Sequence, residues 1–322
     1  MTESRKVSVI IATYNRAALL PRAVNSILAQ TCQDFELLIV DDCSTDDTSQ
    51  VIAAFSDSRI RAFRHETNQG LPASRNTGVA EARGEYLAFL DDDDEFTPTS
   101  LADKLAALEA APQEVALVYG WTDMVDDATG QTRPRHRLAF EGAAAFEYAL
   151  TGATLAPVSS LLVRAAAARE TGIFDERLTL GEDAYFISNI LSAYQVVLLR
   201  KVVAWPHEHH AYARMTDLND SRRIGRETHY AAHLERFAAE LERRSTVLAF
   251  ILRLRAVNLM ELRRVRDSLR WTLAAFRARP FNLGNIRHVL RLVKVFVFYV
   301  TPLSRYRERV KAMQRRLGLR KE

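Results

Sequence analysis

Over the first 120 residues the chain alternates between short apolar runs of strand length and longer stretches in which apolar residues return every three or four positions. The runs 7–13, 35–40, 59–63, 86–90 and 115–119 predict strands, and 17–30, 45–55, 72–82 and 99–110 predict amphipathic helices between them. This rhythm implies an α/β fold, a mostly parallel sheet flanked by helices, because parallel neighbours need a crossover element. Ser44 with Asp47 predicts a capping pair for the second helix, and Thr97 with Pro98 a cap and first-turn proline for the fourth.

Beyond Gly120 the elements shorten. Asp126, Asp127 and Gly130 mark a turn, 142–150 a small helix, 159–163 a strand, 172–175 a turn, 182–192 a helix and 196–199 a closing strand, with 205–210 an irregular loop. From residue 222 Arg, Leu and Ala recur at helical spacing, interrupted by Pro280, Gly284 and Pro302, which predicts roughly three helices and no further sheet. The 322 residues thus divide into 1–221 and a basic helical region, 222–322. There is no internal repeat.

Charge sharpens that division. Residues 1–221 carry 19 Lys and Arg against 32 Asp and Glu, whereas 222–322 carry 25 against 8. The formal net charge of +4 therefore hides two parts of opposite sign, suited to different partners. An acidic part that handles phosphates needs a mediating cation. Cys32 and Cys43 have neither framework nor zinc spacing, and the N-terminal residues lack the apolar core and cleavage site of a secretory signal. The expectation is a cytoplasmic location, peripheral on the inner face of the cell membrane.

In doubly wound sheets ligands bind beyond the carboxyl ends of the strands. Those positions here hold Thr13-Tyr14-Asn15-Arg16, Asp41-Asp42-Cys43-Ser44, Asn68-Gln69-Gly70 and Asp91-Asp92-Asp93-Asp94. Four successive aspartates repel one another unless a cation or hydrogen bonds neutralise them, and oxygen ligands at this density suit Mg²⁺ or Mn²⁺. In an extended run Asp91 and Asp93 share one side. The alternative is a solvated acidic turn, with Asp41 and Asp42 as a helix cap. No Walker loop is present and no GxGxxG follows the first strand; nor does the aspartate run carry the glycine and glutamate of a calcium loop. What remains is a nucleoside diphosphate held through a metal.

The blocks VSVIIATYNR, VDDCSTDDT, NQGLPASRNTGVAEARGEYLAFLDDDDEF and GEDAYF, in this order across about residues 6–200, resemble family 2 glycosyltransferases of the GT-A fold. The resemblance implies a catalytic domain at 1–221, with a donor half at 1–120 and an acceptor half at 121–221. It places Thr13, Tyr14 and Asp42 beside the nucleoside, with Asp42 on the base; Asn15, Arg16 and Asn68, at the same strand ends, complete the expected donor-binding set. Its DxD element falls on Asp91-Asp92-Asp93, with Asp92 near the ribose, Asp93 as principal metal ligand and Asp91 as a second. Arg75 lies beside the donor, where its guanidinium offsets phosphate charge, a salt bridge to the aspartates being the alternative. The family's acidic pair falls on Glu182-Asp183, with Asp183 as general base and Glu182 orienting or contacting the acceptor, a helix N-cap being the competing role. His209 is a further candidate metal ligand within His207, His209 and His210, though WPHEHHAYAR departs from the family's usual segment and a solvated loop is the alternative.

The implied activity is inverting transfer of a sugar from a nucleotide-sugar donor, a UDP-sugar, to a hydroxyl of a glycan or lipid-linked acceptor in cell-envelope polysaccharide synthesis, assisted by Mn²⁺ or Mg²⁺. A sugar-phosphate nucleotidyltransferase needs a glycine-rich phosphate loop, and TYNRAALLPR has no glycine. A non-catalytic nucleotide-binding membrane scaffold is expected to lose Asp93 or Asp183, and both are present. In the basic region, 247–254 and 289–300 are apolar, the latter interrupted by Arg291 and Lys294, and no stretch spans a bilayer. Cations flank Trp271, Phe276, Phe296, Phe298 and Tyr299 as in helices lying on an anionic membrane surface. Packing on protein, including a homodimer, is the other use of such faces. Nucleic acid is not expected, because no recognition module is present.

Overall fold

The computed structural model describes residues 6–208, 220–280 and 282–296. The chain divides into two compact units, Met1–Arg214 and Met215–Glu322.

The first unit opens with β1 (Val7–Thr13), α1 (Leu20–Leu28), β2 (Phe35–Asp41), α2 (Thr48–Ala53), β3 (Ile60–Arg64), α3 (Leu71–Glu81) and β4 (Tyr86–Phe89). It continues with β5 (Glu95–Phe96), α4 (Ser100–Glu109), β6 (Val115–Asp126), β7 (Thr132–His136) and α5 (Gly142–Ala149). Then follow β8 (Leu161–Arg164), α6 (Ala165–Thr171), α7 (Glu182–Leu191), β9 (Gln195–Trp205) and β10 (His207–Glu208). One sheet holds all ten strands in the order β3-β2-β1-β4-β8-β6-β9-β5, with β7 and β10 also paired to β6. β1 to β4 are mutually parallel, whereas β8 runs antiparallel to β4 and β6.

The continuous apolar runs are explained by burial on both faces. Val7, Val9 and Ile11 of β1 pack into one core with α1 and α4, while Ile10 enters the opposite core with α3, α5 and α7. β2 and β4 alternate in the same way, with Leu37 and Ala88 on one side and Leu38 and Phe89 on the other. Helix α3 lies so close to β1 that a Cβ at Gly78 would stand 2.4 Å from a methyl of Ile10. Close approach of helix to strand therefore dictates glycine there.

Several local expectations need correction. Ser44 and Asp47 do not cap α2; Asp46 accepts the Thr48 N–H (3.0 Å), and the Ser44 hydroxyl serves Asn15 instead. Thr97 does not cap α4. Its hydroxyl donates to Val202 O, and the Leu101 N–H is taken by Gln30 Oε1 (3.0 Å), supplied from beyond the end of α1. The segment 205–210 is not an irregular loop where it is described, since β9 runs to Trp205 and His207–Glu208 pairs with β6. Strands β6 and β9 run well past the expected 115–119 and 196–199, because their outer halves pair with each other and with β5, β7 and β10.

The second unit is helical among the described residues: α8 (Asp220–Arg236), α9 (Ala238–Glu242), α10 (Ser245–Glu261), α11 (Val265–Ala278) and α12 (Leu283–Val295). Five helices among the described residues stand where roughly three were expected, as short breaks near 237, 243 and 263 escape a reading based on glycine and proline. Its core gathers on α10, where Val257 and Met260 pack against Leu292 and Val295 of α12 and Val265 of α11. Among the described residues no helix is long and apolar enough to cross a membrane.

Candidate active site at the carboxyl ends of the parallel strands

Strand β1 lies between β2 and β4, so the crossovers leave it on opposite sides and a crevice opens at its carboxyl end. Thr13, Asp42 and Asp91 are all delivered to this edge. The Asp42 N–H donates to Thr13 O (2.9 Å), which locks the ends of β1 and β2 together.

The Asp42 carboxylate organises the loop after β3. It accepts the Gln69 N–H on Oδ1 (2.9 Å) and the Gly70 N–H on Oδ2 (2.8 Å), and Nδ1 of His65 lies 2.8 Å from Oδ1. His65 is held at its other nitrogen by Thr77 Oγ1 (2.9 Å), and Asn68 Nδ2 donates to Asp42 O (3.3 Å). A carboxylate has about four lone-pair directions, so one or more remain for a further donor. Asn15 and Cys43, just beyond β1 and β2, both occupy the left-handed backbone region (φ +53° and +65°). Asn15 clamps the two loops, donating its N–H to Ser44 Oγ (2.9 Å) and accepting the Thr45 N–H on Oδ1 (2.7 Å). Tyr14 beside it is exposed, and the Arg16 N–H donates to Thr48 Oγ1 (3.1 Å).

Asp91 to Asp94 form a turn rather than an extended run, because the Asp94 N–H donates to Asp91 O (3.1 Å). The simple two-residue alternation expected of Asp91 and Asp93 is therefore lost. Ser159 braces the turn, accepting the Asp91 N–H (3.3 Å) and donating to Asp94 Oδ2 (2.7 Å). Burial, reinforced by the charges of Asp91 and Asp93, holds the Asp94 carboxyl well above the usual range. Burial also pushes Asp92 up to about 7, aided by Asp93 and Asp91 and opposed by the Thr13 hydroxyl and by Arg16. Burial and mutual repulsion thus favour the protonated forms of Asp92 and Asp94.

Arg75 on α3 is 4 % exposed and connects this turn to α7. Its Nη2 donates to Asp91 Oδ1 and its Nη1 to Glu182 Oε1, each at 2.8 Å, with the guanidinium over the Phe174 ring. Its neighbour Asn76 fixes the approach to α7, bonding Phe174 through both backbone groups (2.8 and 3.0 Å) and Glu176 Oε1 (3.0 Å). Gly181 then turns the chain into α7 with φ +79°, a left-handed geometry that glycine adopts at little cost. Asp183 follows in the first turn, its Oδ1 accepting the Ala184 N–H (2.7 Å). Burial, with the adjacent Glu182 and Asp91 charges, pushes its carboxyl up to about 7 against the pull of Arg75. Of the two acids, Glu182 is committed to Arg75, and Asp183 is the one poised to exchange a proton near neutrality.

A second chain of contacts runs behind the turn. Arg22 on α1 donates to Asp93 O (3.0 Å) and to Asp127 Oδ1 (3.1 Å). His207 lies between Asp127 Oδ1 (2.6 Å) and Glu95 Oε2 (2.7 Å), so both ring nitrogens face carboxylates. Arg22 and Glu95 also line a cavity of about 390 Å³ with Phe96 and Trp205. His209 and His210 lie outside the described residues. Sequence reasoning missed His65, Ser159 and Arg22. A polar residue just past β3 was the one available signal for His65, while Ser159 and Arg22 arrive from elements distant in sequence.

Among the described residues no three acidic, histidine or cysteine side chains converge as a ready metal cage. The aspartate turn nevertheless fits a hard divalent cation. Its donors are all oxygen, its crowded carboxyls repel one another, and Mg²⁺-type sites take one or two carboxylates and complete their shell with phosphate and water.

The chain belongs to glycosyl transferase family 2, whose model matches residues 8–177. It is 38% identical over 111 residues to the succinoglycan biosynthesis protein ExoO of Rhizobium meliloti, covering 34% of this chain and 32% of that protein. It is 40% identical over 108 residues to the putative colanic acid biosynthesis glycosyl transferase WcaA of Escherichia coli, 33% of this chain and 39% of that one. A match of 38% over 118 residues joins it to the GalNAc(5)-diNAcBac-PP-undecaprenol beta-1,3-glucosyltransferase of Campylobacter jejuni, 36% and 37% of the two chains. The chain thus matches less than two fifths of the length of each of these relatives. Among solved structures, S. aureus TarS 1-349 superposes with a TM-score of 0.54 at 20% identity, over 92% of this chain and 81% of that one. TarS 1-349 in complex with UDP-GlcNAc gives 0.55 over 84% and 89%. At this identity the likeness establishes a shared GT-A fold.

Proposed function

We propose that the chain transfers a sugar from a nucleoside-diphosphate donor to an acceptor hydroxyl by direct, inverting displacement, with Asp183 as the base. The observation that carries this reading is Asp183 itself, a carboxyl raised to about 7 at the start of α7 and tied through Glu182 and Arg75 to the acidic turn. A base and an anion-handling site in one crevice are what such a displacement needs. As the donor's anomeric carbon parts from diphosphate oxygen, the acceptor oxygen bonds to it and releases its proton to Asp183. Oδ1 is anchored by the Ala184 N–H, which leaves Oδ2 to receive that proton.

Asp42, with Thr13, Tyr14, Asn15, Arg16 and Asn68 around it, is the reading for the nucleoside pocket, uracil accounting for the remaining acceptor capacity at Asp42. Asp93 with Asp91 would hold Mn²⁺ or Mg²⁺, which supplies charge for the departing diphosphate. The TarS complex with UDP-GlcNAc favours a UDP-sugar, and the undecaprenol-linked substrate in the name of the Campylobacter relative favours a lipid-linked acceptor. Region 222–322 then serves to bring the domain to an anionic membrane surface. A thermal-shift screen of nucleotides and nucleotide-sugars, with and without Mn²⁺, tests the donor reading. Stabilisation by UDP or a UDP-sugar that grows with Mn²⁺ is expected; silence with every nucleotide under both conditions sinks it.

A further inference from the structure

The exposed large apolar side chains are distributed very unevenly. In the first unit Tyr14 and Ile173 stand out, whereas Ile224, Phe250 and a dense series on α11 and α12 do so in the second. Helix α12 inverts the usual arrangement of a surface helix. Its inward face includes Asn285 and His288 beside Leu292 and Val295. Its outward face carries Leu283, Ile286, Leu290 and Val293, exposed by 74, 59, 67 and 56 %.

These four recur at spacings of three, four and three residues, so they form one stripe along the helix. Arg287, Arg291 and Lys294 follow them by one residue or four, which places a row of cations along one border of the stripe. Helix α11 repeats the design with exposed Leu269 and Leu273 beside Arg266, Arg270 and Arg277. From Ser268 to Arg307 the sequence has no Asp or Glu and eight Arg or Lys.

We infer that the outward face of α12, bordered by Arg287, Arg291 and Lys294, is a docking surface for an anionic lipid bilayer, with Leu283, Ile286, Leu290 and Val293 entering the acyl boundary. This rests on the membrane reading above and specifies the face that carries it. Large apolar patches on a soluble surface mark binding sites, and a cationic border selects a partner of opposite charge. A second copy meeting the same face would set arginine against arginine across a two-fold axis. Nucleic acid would take the cations but give the leucine stripe no partner. A bilayer with anionic headgroups satisfies both halves of the pattern at once.

Flotation of the full chain with phosphatidylcholine vesicles, with and without about a third phosphatidylglycerol, tests membrane reading and face separately. The wild type is expected to float on the anionic vesicles at least tenfold more than on neutral ones, and less as salt rises. The variants Arg287→Gln/Arg291→Gln and Ile286→Ser/Leu290→Ser alter exposed side chains and are expected to keep the thermal midpoint while each loses at least tenfold of the bound fraction. No flotation of the wild type overturns the membrane reading itself. Flotation that both variants retain leaves that reading standing and overturns the assignment to α12. A concentration-dependent dimer abolished by Leu290→Ser, or binding of the wild type to duplex DNA or RNA without flotation, assigns the face to those partners and overturns the proposal.

Discussion

The two units use charge in opposite ways. In the strand-end crevice, charged groups are turned inward and tied to one another: Arg75 to Asp91 and Glu182, Asp42 to His65 and two backbone N–H groups, Ser159 to Asp94. On α11 and α12 the cations face outward beside exposed leucines, and the inner face holds polar groups such as Asn285 and His288. Bound groups that preorganise one another suit a small anionic ligand whose reaction must be held in register. An outward mixture of leucine and arginine suits a soft, extended surface. Region by region, the sign and direction of the charges say what each expects to meet.

The sharpest way to break this contrast is at Asp183, the proposed base. Asp183→Asn should lower turnover by about 10²- to 10⁴-fold while nucleotide-sugar affinity changes less than about twofold, measured by product assay and donor titration. Near-normal turnover would remove Asp183 from the chemistry. Next is the bridging guanidinium. Arg75→Met leaves Glu182 buried without its ion partner and should destabilise the protein by about 3 kcal/mol, read in urea unfolding; a loss below about 1 kcal/mol would show the network to be incidental.

Two leucines measure the difference between the units directly. Leu38→Ala, fully buried between β2 and its covering helices, should cost about 2–5 kcal/mol, whereas Leu290→Ala should fall within about 0.5 kcal/mol. Equal costs would mean that the α12 face is packed in solution. His65→Ala removes a partner from the buried Asp42 and should cost about 1–3 kcal/mol, with a higher donor KM and little change in kcat.

The pH profile is the gentlest probe. The Asp183 carboxyl is raised to about 7, so its proton-accepting form predominates above that pH and is lost below it. The ratio kcat/KM should therefore fall about tenfold per unit as pH drops below 7, by single-proton titration of the base. The linkage to stability has the opposite sense. A folded carboxyl that binds its proton more tightly than the unfolded one contributes stability below about 4 and loses it as pH rises through 7, using the ordinary aspartate value. A profile flat down to pH 5 would show that the base is another group.

Much of the site's location was legible in one dimension. The order of apolar runs predicted β1 to β4, and with them the rule that the residues following parallel strands share an edge; Asp42 and the turn at Asp91 to Asp94 are there. The chemical types at that edge, carboxylate and amide, were equally readable. What could not be read is pairing. Arg75 reaches Glu182 across 107 residues of chain, and His65 holds Asp42 across 23, through contacts that only the folded sheet creates. The turn at 91–94 replaced an extended run because the Asp94 N–H found Asp91 O and the Ser159 hydroxyl found Asp94.

By itself, the sequence determined the α/β alternation, the acidic edge, the family and the basic region, since these depend on local period and residue type. The tertiary structure decided which acid is bound and which is poised, because the pull on a carboxyl comes from burial and from charges brought near by folding. It also decided that Leu283, Ile286, Leu290 and Val293 of α12 face outward while Leu292 faces inward. Helical period places apolar residues on a face, but only packing against α10 shows which face is already taken.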